Sequence, residues 1–195
     1  FGVGQAILAG DGLLNFAFEV MLERALQAPG RERPCLLAIS EIARGAGVSG
    51  MIRGQCLDLE AEGGIAAENY EVLLAEIHAG KTAAMFAGSL RAACRLAGAA
   101  EAELFALSEY AVAFGMLFQA TDDILDVVGS APEVGKTLGK DERSGKLTYA
   151  SVYGVGGARD RALLLRDRAV GALEPFGARA KLFRELADSL IDRTR

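Results

Sequence analysis

Three aspartates crowd one short stretch of the chain, Asp122, Asp123 and Asp126, inside the run Phe118-Gln119-Ala120-Thr121-Asp122-Asp123-Ile124-Leu125-Asp126. On a helix turning ~100° and rising ~1.5 Å per residue, Asp122 and Asp126 are about 40° apart and about 6 Å along the axis. Asp123 adjoins them and Gln119 lies one turn earlier, so the spacing predicts all four on one face. Carboxylates this close repel one another, and a helix C-terminus adds its own unfavourable field. A hard divalent cation would offset both. Mg²⁺ takes one or two carboxylates, keeps several waters and completes its shell with phosphate oxygens. Zinc suits the chain less well, because His78 is its one histidine and Cys35, Cys56 and Cys94 are widely scattered. The competing reading is a solvated acidic helix face.

Positive charge follows directly. Gly135-Lys136-Thr137-Leu138-Gly139-Lys140-Asp141 and Gly145-Lys146-Leu147-Thr148-Tyr149 come just after the acidic run. Of the five lysines, four stand at 81, 136, 140 and 146. A lysine ammonium is a compact point charge suited to phosphate, and the glycines let such a loop fold back. A solvated charged loop is the alternative. Lys81-Thr82 belongs to another helix, among Ala79, Gly80, Ala83 and Ala84, whose small size admits a close helix neighbour or a ligand. His78 reads as a structural histidine. Gln55 and Asp58 form a polar pair in an apolar register, either a hydrogen-bond network or a ligand-positioning pair.

The elements that must carry these groups read as helices. Alanine and leucine abound, only four prolines occur, and no alternating strand pattern bounded by hairpin turns is found. The pattern predicts helices over 5–26, 34–44, 49–62, 68–96, 101–128, 159–173 and 179–193, with an exposed loop over 129–147. Gly10, Gly50, Gly54 and Gly115 are read as points of close helix approach, and Gly80 and Gly88 as a kink or close contact. No repeat or linker divides the chain, so 195 residues give one all-α bundle.

Composition bounds the function. Hydrophobic residues make up 51% and charged residues 24%, a globular balance that disfavours disorder. A net charge of -5 provides no general attraction for nucleic acid or an anionic membrane, so a polyanionic ligand must be met by local cations or metal. The cysteines read as reduced, mostly buried thiols of a cytoplasmic protein. No uninterrupted apolar run reaches the ~18 residues that span a bilayer, so the reading is not membrane-spanning.

Taken together the segments resemble the trans-isoprenyl diphosphate synthases, the polyprenyl synthetase family. The matching stretches are 6–14 (Ala-Ile-Leu-Ala-Gly-Asp-Gly-Leu-Leu), 54–60 (Gly-Gln-Cys-Leu-Asp-Leu-Glu), 78–82 (His-Ala-Gly-Lys-Thr), 118–126 and 135–149, in the family's order. The resemblance implies an isoprenoid synthase bundle, of which residues 1–195 form the C-terminal two-thirds of a single domain. It implies a prenyltransferase that condenses an allylic diphosphate with isopentenyl diphosphate by Mg²⁺-assisted ionisation. By that resemblance Asp122, Asp123 and Asp126 hold the metal. Lys81, Thr82, Gln119 and Lys136 are catalytic, and Lys81, Gln119, Lys136 and Lys146 bind substrate. Phe118 flanks the second substrate, with core packing as its alternative.

In the family a first aspartate-rich helix, an arginine pair and a histidine would precede Phe1, so the expectation is that these 195 residues alone are inactive. The C-terminal run 186–193 resembles short-chain bacterial members, which favours farnesyl or geranyl diphosphate synthesis over geranylgeranyl or longer products. The other readings weighed are a non-catalytic partner subunit of a heteromeric prenyl synthase and a terpene cyclase. The family also implies a homodimer.

Overall fold

Helix-forming residues broken by a few glycines and prolines give the chain its order. The computed structural model describes residues 1–62, 69–128 and 146–193. Eight α-helices occur among the described residues, with a π-helical turn and a 3₁₀ segment. They are α1 (Val3–Leu26), α2 (Glu32–Ala46), α3 (Met51–Glu62), α4 (Tyr70–His78), the π-turn (Ala79–Ala83), α5 (Ala84–Ala97), α6 (Glu101–Val128), α7 (Tyr149–Ala172), the 3₁₀ segment (Glu174–Ala180) and α8 (Lys181–Asp192).

The long helix α6 is the axis of the molecule. It packs against α5, the π-turn, α7 and α8. Leu117, Ala120 and Ile124 on its inner stripe are fully buried and join Leu74, Tyr149, Ala158, Ala162 and Ala187 in the main core. Burying a leucine or isoleucine side chain contributes about 1.5–3 kcal/mol, so this stripe fixes which way α6 turns and where its polar residues point. A second cluster of Tyr110, Ala113, Ala169, Leu173 and Ala180 closes the far end, where the Tyr110 hydroxyl donates to the Phe183 carbonyl at 2.9 Å.

Local chemistry sets the ends. Asn69 caps α4, its Oδ1 accepting from the backbone of Glu71 and Val72. Gly98, at φ 69°, terminates α5 in the left-handed region. Thr148 opens α7 with a reciprocal capping box to Ser151. Between α2 and α5 the bidentate pair Glu41–Arg91, with Arg95 on the same carboxylate, ties two helices together.

The all-α expectation holds, with four differences in detail. The 68–96 run is continuous helix from Tyr70 onward but is interrupted by the π-turn at Ala79–Ala83. Helical backbone of α7 starts at Tyr149, ten residues before the predicted start at 159, as a short piece capped by Thr148 that Gly154, at φ 68° and ψ 167°, separates from the rest. The predicted 179–193 helix is divided between the 3₁₀ segment and α8. Among the glycines, Gly54 and Gly115 do admit close helix contacts and Gly50 comes tight against the Arg44 and Gly45 carbonyls at the end of α2, but Gly10 has nothing within 4 Å of its position. Cys56 is exposed, against the expectation of mostly buried thiols. Segments Val3–Leu26, Glu32–Glu62 and Glu101–Val128 are long and apolar enough to cross a membrane by length and composition alone. Counting uninterrupted apolar runs hid this, since a single charge breaks a run without greatly lowering its mean hydropathy.

Candidate active site

The site is assembled where α3, the π-turn and the C-terminal half of α6 meet the start of α7. Glycine makes the first contact possible. A Cβ on Gly54 would stand 1.9 Å from the Lys81 backbone nitrogen, and one on Gly80 would stand 2.8 Å from the Gly54 Cα. Helix α3 therefore lies directly on the π-turn. On the other side a Cβ on Gly115 would meet the Ala83 Cα at 2.5 Å, which brings α6 equally close. The π-turn is clamped between two helices, and its residues Lys81 and Thr82 reach one to each.

Lys81 reaches toward α3. Its Nζ donates to Asp58 Oδ2 at 2.5 Å, and the Asp58 carboxylate is almost wholly buried. A buried carboxylate needs such a partner, so of the polar pair noted at Gln55 and Asp58 it is Asp58 that is anchored, by Lys81. Thr82 reaches toward α6. Its hydroxyl donates to Gln119 Oε1 at 3.0 Å, and Gln119 Nε2 donates to Asp123 Oδ1 at 3.0 Å. The second oxygen of Asp123 accepts the backbone N–H of Tyr149 at 2.8 Å, at the first residue of α7. His78 Nε2 lies 3.9 Å from the same oxygen, and the His78 ring packs 5.1 Å from that of Tyr149.

Burial dominates the protonation of this cluster. Desolvation pushes Asp123 up to about 6 against the hydrogen bonds from Gln119 and Tyr149 and the charge of Lys146, with Asp122 adding a small upward push. Desolvation also drives His78 down to about 3, with Lys146 and Lys81 pressing the same way, so His78 is neutral. Its Nδ1 is buried without a hydrogen-bond partner among the described residues.

The sequence-predicted residues thus divide. Lys81, Thr82, Gln119, Asp123 and Lys146 converge, Lys146 near enough for its charge to act on both His78 and Asp123. Lys136 lies outside the described residues. Phe118 packs its ring 5.7 Å from Phe86 and lines the main core, as its packing alternative anticipated. The single acidic face does not hold. Asp122 is exposed and Asp126 half-buried, whereas Asp123 is only 2% exposed and turned inward. Among the described residues no group of three or more His, Cys, Asp or Glu side chains is arranged to hold a metal ion. The reason is the angular order about the apolar stripe of Ala120 and Ile124: Asp123 lies about 60° from Ala120 and is covered by the start of α7, whereas Asp122 lies about 160° from each. Asp122 and Asp126, one turn apart and outside that stripe, supply the one or two hard oxygen ligands that Mg²⁺ takes, so the donor set fits this ion without Asp123.

Asp58, His78 and the Tyr149 amide were not assigned to the site from the sequence. Asp58 carried a signal in its polar character within an apolar register. The Tyr149 contact, 26 residues from its carboxylate, carried none.

Comparison with known proteins agrees with this architecture. The dimethylallyltranstransferase of Fischerella ambigua is 37% identical over 195 residues, covering 100% of this chain and 55% of that protein. The farnesyl diphosphate synthase of Escherichia coli is 36% identical over 200 residues, covering 100% of this chain and 65% of its own length. The chain thus spans about half to two-thirds of the curated relatives it matches. The crystal structure of a Helicobacter pylori geranyltransferase complexed with magnesium and isoprenyl diphosphate superposes with a TM-score of 0.76 at 27% identity, over 96% of this chain and 59% of that one. Residues 1–169 match the polyprenyl synthetase family. With the family match spanning residues 1–169, the chain belongs to the polyprenyl synthetase family.

Proposed function

We propose that the protein carrying this chain is a trans-prenyltransferase that condenses an allylic diphosphate with isopentenyl diphosphate, giving a farnesyl- or geranyl-length product. The observation that carries this reading is the convergence on one π-turn of an ammonium and a hydroxyl, with Lys81 held by Asp58 and Thr82 held by Gln119, beside the aspartates of α6. Residues 1–195 form the C-terminal two-thirds of the synthase domain in this reading.

Mg²⁺ would be held by Asp122 and Asp126, and when bound it supplies the positive charge that stabilises the departing diphosphate. Lys81 and Lys146, together with Lys136, add ammonium charge to the same anion. Thr82 and Gln119 line the reacting carbon with oxygen dipoles. Hydrogen bonds hold both as dipoles beside the cation, so they stabilise it electrostatically until the double bond of isopentenyl diphosphate attacks it. The proton then lost goes to the released diphosphate. Phe86, Phe114 and Phe118 form an aromatic wall with ring centroids 5.2 and 5.7 Å from Phe86, which excludes water from that side.

The exposed apolar residues of α1, among them Leu8, Leu13 and Phe16, support a homodimer in which that helix is covered. The experiment that tests the reading is Mg²⁺-dependent binding of a non-ionisable allylic thiodiphosphate to the native protein before and after Asp122→Ala. The expected result is tight metal-dependent binding that Asp122→Ala abolishes. Unchanged affinity removes the metal assignment.

A further inference from the structure

We infer that Asp123 acts as a positioning residue, not as a metal ligand: through Gln119 it sets the direction of the Thr82 hydroxyl. This rests on the proposed prenyl transfer and deepens it.

The argument is one of hydrogen-bond polarity. The Tyr149 amide is a backbone donor whose direction is fixed by the first turn of α7, and it takes Asp123 Oδ2 at 2.8 Å. Ionised carboxylates only accept, so whatever meets Oδ1 must donate. Gln119 therefore presents its NH₂ to Asp123, at 3.0 Å, and its carbonyl oxygen is left facing Thr82. That oxygen only accepts, so the Thr82 hydroxyl must spend its single proton on it, at 3.0 Å. What remains on Thr82 Oγ1 for its other side is lone pairs alone. An oxygen that offers lone pairs and no proton is the dipole an allylic cation calls for.

Four groups from three segments, one at the start of α7, two on α6 and one on the π-turn, thus form a one-way chain whose sense is imposed at its buried end. Both oxygens of Asp123 are committed within the protein and the side chain is 2% exposed, while its neighbour Asp122 is exposed. Two adjacent aspartates therefore divide the work, Asp122 outward to the metal and Asp123 inward to the relay.

Asp123→Asn keeps the shape and reverses the sense. The asparagine carbonyl must still accept from Tyr149, so its NH₂ faces Gln119. Gln119 then turns over, and Thr82 becomes an acceptor whose own proton is free to point at the substrate. The native protein, Asp123→Asn, Asp122→Ala, Thr82→Val and the double variant Asp123→Asn/Thr82→Val are compared by calorimetric binding of an allylic thiodiphosphate with and without Mg²⁺, and by single-turnover condensation.

Asp123→Asn is expected to keep Mg²⁺-dependent affinity within about threefold while the chemical step slows by about 10–100-fold. In the Thr82→Val background the same substitution is expected to have no further effect, because the relay then has no end. If Asp123→Asn loses Mg²⁺-dependent binding as Asp122→Ala does, or if the two rate losses multiply in the double variant, the inference is wrong while the prenyl-transfer reading stands. Gln119→Leu provides an independent check that leaves every carboxylate in place: an unchanged single-turnover rate there also overturns it. A native protein that shows no metal-dependent binding at all overturns the underlying reading and this inference with it.

Discussion

Helices α1 and α6 are both long and apolar, yet they solve opposite problems. α6 buries a continuous stripe that includes Leu104, Tyr110, Leu117 and Ile124, and uses its remaining faces for polar contacts with three neighbouring elements. α1 has only Ala25 buried, and Ile7, Leu8, Leu13, Leu14 and Phe16 all stand in solvent. The difference is one of pattern. Apolar residues confined to one side orient a helix, whereas apolar residues all round it favour burial without specifying a direction. A helix of the second kind is stable in place only when something surrounds it, while one of the first kind can hold a catalytic array from a single side.

The largest test of this contrast is a pair of methyl additions. Gly54→Ala drives a Cβ to 1.9 Å from the Lys81 nitrogen and is expected to cost about 3 kcal/mol or more, seen as a large fall in melting temperature. Gly10→Ala, with open space around it, is expected to stabilise by about 0.5–1 kcal/mol through helix propensity alone. Equal effects from the two would erase the distinction between the packed centre and α1.

Next in size is the removal of single charges. Lys81→Met leaves the buried Asp58 carboxylate without its counter-ion, and is expected to cost about 2 kcal/mol in chemical denaturation, less than for a fully buried pair because the lysine side chain is 29% exposed. Breaking the exposed Arg53–Glu76 pair, at 2.9 Å, is expected to cost under about 0.5 kcal/mol.

The buried pair of titrating groups sharpens the picture by pH. Asp123, raised to about 6 from its ordinary 3.8, binds more protons folded than unfolded between those values, so its contribution makes the protein less stable as pH rises through that window. His78, lowered to about 3 from 6.5, binds fewer protons folded, so its contribution makes the protein less stable as pH falls from 6.5 toward 3. The two nearly oppose each other in the native protein. Thermal melts of Asp123→Asn should therefore exceed the native values above pH 6 and lose that advantage by pH 4. His78→Phe should gain on the native protein progressively as pH drops below 6.5. Parallel curves for all three proteins would mean that neither group is desolvated as described. The smallest effect belongs to α1: Leu8→Lys should change the stability of the isolated chain by less than about 0.5 kcal/mol, since Leu8 is 71% exposed.

Much of this was legible in the sequence, and for identifiable reasons. Helical spacing located α6 to the residue, because its stripe is regular, no proline interrupts it and its one glycine, Gly115, sits at a helix contact. Of the lysines set against the α6 aspartates, Lys146 acts on Asp123, whereas Lys81 pairs with Asp58, a partner the sequence did not assign to it. The separate fates of Asp122 and Asp123 were hidden, because adjacent carboxylates look alike until the buried stripe is placed. A clue existed in Gln119, which stands four residues before Asp123 and so pairs with it along the helix. The early start of α7 was masked by Gly154, Gly156 and Gly157: Gly154 does break the helix, but the Thr148 cap starts a short helical piece ahead of it. The π-turn left no trace in spacing, since one wide turn barely disturbs a periodic pattern.

That wide turn has a consequence for how the protein can vary. Successive residues on a helix diverge by about 100°, which is what lets Lys81 and Thr82, side by side in the chain, serve two different walls. Losing one residue anywhere in Ala79–Ala83 would rotate the whole of α5 against α4 by that same angle and carry Phe86 and Arg91 away from the partners they now meet. The number of residues in this segment is therefore as strongly constrained as their identity, and tolerance to deletion should be lowest here even though four of the five side chains are small or uncharged.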